Sequence, residues 1–111
     1  MALKQMGCEY IDGTTNPIDT NKTVYTVPGG AQALMSVISM CNCSATAATG
    51  VYLYLVKSGD SPGTANTTLH NRTIAAGQTL EVERHCLGAA GQVVFKSHTT
   101  GVNCLISGDE S

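Results

Sequence analysis

Five cysteines, three histidines and one Glu-x-Glu pair are the side chains in this sequence best equipped for chemistry. The cysteines are Cys8, Cys41, Cys43, Cys86 and Cys104. In an extended strand, side chains two apart point the same way, so Cys41-Asn42-Cys43 would hold two sulfurs on one face. That spacing is tighter than the two-to-four-residue spacer usual between zinc ligands, and no second pair with matching spacing follows. No metal and no cofactor are therefore expected. An odd count leaves at least one thiol free or paired with another chain. Met1 to Gly7 lacks the apolar segment of a secretory signal, so synthesis in the cytoplasm with reduced thiols is expected. The readings are small core or surface residues, disulfides made after release from the cell or between subunits, and, least of all, metal ligands.

A catalytic reading needs a nucleophile, a base and an orienting group brought together. His70, His85 and His98 fall at expected strand ends or turns, where a solvated imidazole is the ordinary outcome. Glu81 and Glu83 alternate with Leu80 and Val82, which reads as the water-facing side of a strand rather than a carboxylate pair. HExxH and the phosphate-cradling glycine loop are missing, and Gly59-Asp60-Ser61-Pro62-Gly63, which has the letters of GxSxG, reads as a turn. Pro28-Gly29-Gly30 and Gly88 to Gly91 precede no helical pattern and read as turns. The chain is expected not to be an enzyme. A thiol-dependent enzyme would need one activated Cys beside a His. A ligand-binding module would instead gather the three histidines and acidic groups at one loop end.

The elements that must position these residues are strands. From residue 21 onward the chain alternates short apolar stretches with Gly, Pro, Asn and Asp punctuation, without a sustained 3.6-residue period. Strands are expected at 22–27, 31–42, 51–57, 68–74, 79–84, 92–98 and 102–107. In 31–42 both odd and even positions are largely apolar, so this strand is expected to be central and covered on both sides. Ala75-Ala76-Gly77-Gln78 reads as a hairpin-like link between its two strands. The expected fold is all-β: a single β-sandwich or jelly roll of about seven to eight antiparallel strands. Residues 1–20 show isolated apolar residues without alternation. They are expected to form either a frayed terminus or an extended N-terminal arm, ordered only on a neighbouring subunit, with Leu3, Met6, Tyr10 and Ile11 as its contacts. The sandwich would occupy 21–111.

The chain has 111 residues, 14 of them charged and a formal net charge of −2, which removes the basic footprint of nucleic-acid binding. No apolar run approaches the ~18 residues of a membrane span. Leu, Ile, Val and Phe together number 23, while 14 Thr, 12 Gly and 11 Ala fill much of the rest. The core is thin and the surface mostly neutral, as suits a domain completed by neighbours.

The order of four segments adds a resemblance. Asn21 to Gly30 (NKTVYTVPGG), a long apolar strand ending Cys41-Asn42, Val51 to Gly59 (VYLYLVKSG) and Ile74 to Leu80 (IAAGQTL) together resemble small β-sandwich structural proteins of tailed bacteriophages. The resemblance covers about 21–107. It implies a virion protein without catalytic residues, made in the host cytoplasm. The first expectation is a capsid decoration (cement) protein, a homo-oligomer with a trimer favoured, contacting major capsid or other virion proteins. A neck, tail or fibre component, including a receptor- or glycan-binding module, is the alternative.

Overall fold

Alternation of buried and exposed side chains carries the chain through eight strands in the computed structural model, which describes residues 4–111. They are β1 (Lys4–Tyr10), β2 (Lys22–Thr26), β3 (Ala33–Asn42), β4 (Ala48–Val56), β5 (Thr67–Ile74), β6 (Thr79–Leu87), β7 (Gln92–Lys96) and β8 (Val102–Glu110). Two four-stranded sheets result, with orders β1-β8-β3-β6 and β2-β7-β4-β5. All ladders are antiparallel, and β1 pairs with β8, β2 with β7, β3 with β6 and β4 with β5. A chain doubled into one long ribbon and then rolled into two sheets is a jelly roll. The all-β sandwich is as expected, and strand order selects the jelly roll within it.

Period-two burial explains which residues fill the core. Met35, Ile38 and Met40 of β3 and Val102, Cys104 and Ile106 of β8 face Val51 and Leu53 of β4 and Val93 and Phe95 of β7. Leu80 and Val82 of β6 close the side of this core, while Glu81 and Glu83 remain exposed.

The apolar residues at both odd and even positions of β3 have a different cause from two-sided burial. The β3–β8 register slips between Met35 and Val37, leaving Ser36 as an extra residue. Such a bulge switches the inward phase from Ala33 and Met35 to Ile38 and Met40. The other face of β3, with exposed Leu34 and half-buried Val37, lies uncovered, which corrects the expectation of burial on both sides.

The N-terminal arm is also corrected. Residues 4–10 form an edge strand of the same chain, paired with β8 from Lys4↔Gly108 to Tyr10↔Asn103. Ile11 continues the ladder through its N–H to the Val102 carbonyl and is fully buried, while Met6 packs against the core. No alternation betrays this strand because it is an edge with a bulge at Gln5/Gly7. Gly7 is required there, since a Cβ would meet the Val24 carbonyl oxygen at 2.6 Å. Beyond it, the Asp12 carboxylate accepts the N–H groups of Thr14 and Asn16, shaping the loop that returns the chain to β2. The hydrogen bonds from Asn16 and then Thr14 hold the Asp12 carboxyl below the usual carboxylate range. Leu3 lies outside the described residues.

Ala75 to Gln78 is a crossover rather than a hairpin, because β5 and β6 belong to opposite sheets. Asn42 holds it: its carbonyl accepts the Gly77 N–H, its N–H donates to the Gln78 carbonyl, and its buried side-chain amide donates to the Ile74 carbonyl at 2.9 Å.

At the far end, the Tyr25 hydroxyl of β2 donates to the Glu110 carboxylate of β8, tying the two sheets together. Burial first, then the bond to Glu110 and its charge, push the Tyr25 hydroxyl up to about 12. An unfolded chain would release that proton near pH 10. The native state therefore keeps this contribution below pH ~10 and loses it as the pH rises through ~12. Melting temperatures at pH 9 and pH 11 should fall more steeply for the wild type than for Tyr25→Phe; equal slopes would disprove the linkage. Glu110 is held below its ordinary range by the same hydroxyl and then by Lys4, so its own contribution disappears at acid pH.

Candidate functional site

The two outer sheet faces differ in chemistry, and each gathers candidate residues. On the β1-β8-β3-β6 sheet, cross-strand pairing sets Tyr10, Asn103 and Cys41 in one row and Cys8, Leu105 and Ser39 in the next. Ser107 and Val37 form a third row, and Leu34 lies opposite Cys86. None of these side chains carries a formal charge, and Glu81 and Glu83 stand only at the β6 edge. Tyr10 and Leu34 are 45% and 38% exposed, two of the three large apolar side chains so exposed among the described residues.

One end of this face holds an unusual polar group. Asp109 is 6% exposed, and its Oδ2 finds no hydrogen-bond partner among the described residues. It lines a cavity of about 300 Å³ together with Gln32, Leu34, Cys86 and Ser111. Buried polar atoms almost always find partners, so this carboxylate oxygen is placed to take a donor that enters the cavity, from water or from another molecule.

The cysteines separate by environment. Cys104 faces the core, and burial, helped by Cys8, pushes its thiol up to about 12, leaving it inert as a nucleophile. Cys8, Cys43 and Cys86 are exposed and Cys41 is half-buried. Cys41 and Cys43 do share a side: their sulfurs lie 3.9 Å apart, and the Asn103 amide approaches Cys43 Sγ at 3.8 Å. Among the described residues, no group of three or more His, Cys, Asp or Glu side chains is disposed to hold a metal ion.

The β2-β7-β4-β5 face is aromatic and charged. Outward alternation along β4 places Tyr52 opposite Lys96 and Tyr54 opposite Val94. The two tyrosine rings run parallel, the Lys96 ammonium lies 4.4 Å from the Tyr52 ring centre, and His70 of β5 meets that ring edge-on at 5.2 Å. At the end of this row, the loop before β2 brings in Asp19, whose carboxylate contacts His98 Nδ1 at 2.9 and 3.0 Å. The Asp19 N–H donates to the Ser97 carbonyl and fixes that approach. With Thr49, Gly50 and Asn71, these groups border a second cavity of about 300 Å³.

Backbone conformation at this cavity is forced. Asp19, Gly50 and Asn71 have φ of 57°, 61° and 50°. At Gly50 a Cβ would also sit 2.7 Å from the His98 Cβ, so only glycine lets β4 and the β7–β8 loop close.

Of the three histidines, then, His98 borders this cavity, His70 meets only the edge of the Tyr52 ring beside it, and His85 stands apart on β6 beside Met35. Asp19, Tyr52 and Lys96 were not singled out as site residues by sequence. The alternation Tyr52, Tyr54 was the one available signal; the pairing of Asp19 with His98 spans 79 positions and exists only in the fold. Compared with family models, curated proteins and solved structures, the chain matches none of them.

Proposed function

We propose that this chain is a structural protein of a tailed-bacteriophage particle: a decoration protein that self-associates through the outer face of the β1-β8-β3-β6 sheet and stabilises the assembled capsid. The observation that carries the reading is that face, whose three central cross-strand rows are uncharged, which displays Tyr10 and Leu34, and which ends at the Asp109 carboxylate, its Oδ2 unpartnered among the described residues. Neutral and apolar groups lose little on desolvation, so a second copy seats there at low cost. A donor from that copy would complete Asp109. The order of segments that resembles phage structural proteins supports the same assignment, and jelly rolls recur in viral capsid domains, a fold-level analogy. No reaction is assigned to the chain. A trimer is the assembly implied by the resemblance.

Leu105 is central on this face, between Cys8 of β1 and Ser39 of β3. A carboxylate there would have to be stripped of water in the contact, at several kcal/mol per ion. By light scattering, wild type should elute as an oligomer and Leu105→Glu as a monomer, with association weakened about 100-fold or more. A monomeric wild type at high concentration overturns the self-association. For the particle, the purified protein should bind expanded capsids and raise their melting temperature. Failure to bind any virion fraction sinks the assignment, and binding to necks or tails alone moves it there.

A further inference from the structure

We infer that the cavity on the β2-β7-β4-β5 face, between Asp19, Tyr52, Asn71, Lys96 and His98, is a binding site for a saccharide unit bearing neighbouring hydroxyl groups. The inference is independent of the assembly reading, because the site lies on the opposite sheet.

Three properties select this ligand class. The first is the mixture of hydrogen-bonding roles. The Asp19 carboxylate only accepts, the Lys96 ammonium only donates, and the Asn71 amide does both, all bordering one cavity. Hydroxyls are the ligand groups that both donate and accept, so a row of them can satisfy all three. A bare anion would meet Lys96 but face repulsion from Asp19, and an apolar ligand would leave every polar group unpaired. The second is Tyr52. Its ring face attracts the Lys96 ammonium at 4.4 Å, so the negative face of the ring draws electropositive groups and Lys96 is the group a ligand would replace there. The C–H face of a pyranose is such a group, and displacing the contact between half-buried Lys96 and Tyr52 costs about 0.5–2 kcal/mol, which stacking on the ring must offset.

The third is rigidity and size. The left-handed backbone at Asp19 and Asn71, with φ of 57° and 50°, is a conformation Asp and Asn adopt more readily than most residues, and it sets where both side chains leave the chain. The Asp19–His98 contact, between side chains 55% and 62% exposed, adds little stability but fixes the carboxylate in place. About 300 Å³ is the small end of the range for ligand pockets, which suits one sugar ring rather than a long chain inserted end to end.

The test uses the intact protein on a glycan array that includes bacterial surface polysaccharides, followed by NMR titration with the free monosaccharide units of any bound glycan. Inorganic phosphate is titrated in parallel. The expected result is glycan binding, with chemical-shift changes centred on Tyr52, Asn71 and Lys96. Tyr52→Ala and Asp19→Asn should each weaken binding about tenfold or more, as expected for losing a stacking face or a charged hydrogen-bond partner. Leu105→Glu should bind sugar like wild type even where it no longer self-associates. Absence of glycan binding, shifts confined to other surfaces, a response to phosphate alone, or wild-type affinity in both site variants would each overturn the proposal. Preserved spectra of Asp19→Asn, which removes only a charge, keep a folding defect from being mistaken for loss of the site.

Discussion

Gly108→Ala should be strongly destabilised, with a large fall in melting temperature. A Cβ at Gly108 would lie 2.0 Å from the Leu34 carbonyl oxygen and 3.0 Å from both Leu34 C and Met35 Cα. These are backbone atoms of β3, which is held on its other side by β6, so no side chain can swing away to make room. The close approach is a product of the bulge at Ser36, which draws the two strands together where the inward phase switches. Relief requires opening the ladder between β3 and β8, the two inner strands of their sheet. We expect a loss on the order of 3–5 kcal/mol, against a typical total of about 5–15 kcal/mol. The melting temperature should fall by ~15 °C or more. Gly29→Ala is the control, because nothing lies within 4 Å of the Cβ it would add. A Gly108→Ala protein that melts within about 2 °C of wild type would show that the sheet yields there at little cost.

Phe95→Ala should be the most damaging truncation in the core. Phe95 is the sole phenylalanine, is fully buried, and stands in β7 directly opposite Leu53 of β4. Removing a buried phenyl ring typically costs about 3–5 kcal/mol, part transfer energy and part unfilled cavity. The upper end applies here, because a sandwich whose sheets are hydrogen-bonded along their length collapses poorly onto a central void. Phe95→Leu keeps most of the volume and should cost less than half as much. Urea denaturation of the three proteins gives the comparison through the midpoint at constant slope. Equal midpoints for Phe95→Ala and Phe95→Leu would mean that the core repacks freely and is not limited by this ring.

Much of the fold was legible because strands announce themselves by a period of two. Val51, Leu53 and Leu55 against Tyr52, Tyr54 and Val56 is the observed division of β4 between the core and the outer cluster. Val93 with Phe95, and Leu80 with Val82, face inward as their spacing implies. Edges and bulges are where that reasoning failed, for one reason each. An edge strand such as β1 needs few apolar residues, since half of it faces water and its order comes from backbone pairing with β8. A bulge changes phase mid-strand, so β3 imitated a strand buried on both faces. The hairpin expected at Ala75 to Gln78 failed because a turn's local chemistry is the same whether the chain re-enters its own sheet or crosses to the other.

The candidate surfaces were less legible than the fold. Cys41 and Cys43 are two residues apart, so the alternation of an extended chain anticipated their shared side, although Cys43 lies just past the end of β3. Asp19 with His98, and Asp109 without a partner, depend on loops and sheet ends that meet only after the ribbon has rolled up. By itself the sequence determined an all-β domain with one thin core, because composition and alternation are local properties that survive any arrangement of strands. Which residues share a face, which strands form edges, and which polar groups converge on one cavity were decided by the tertiary structure. Those depend on register and strand order, and in a jelly roll these are set by pairings between strands up to a full chain length apart.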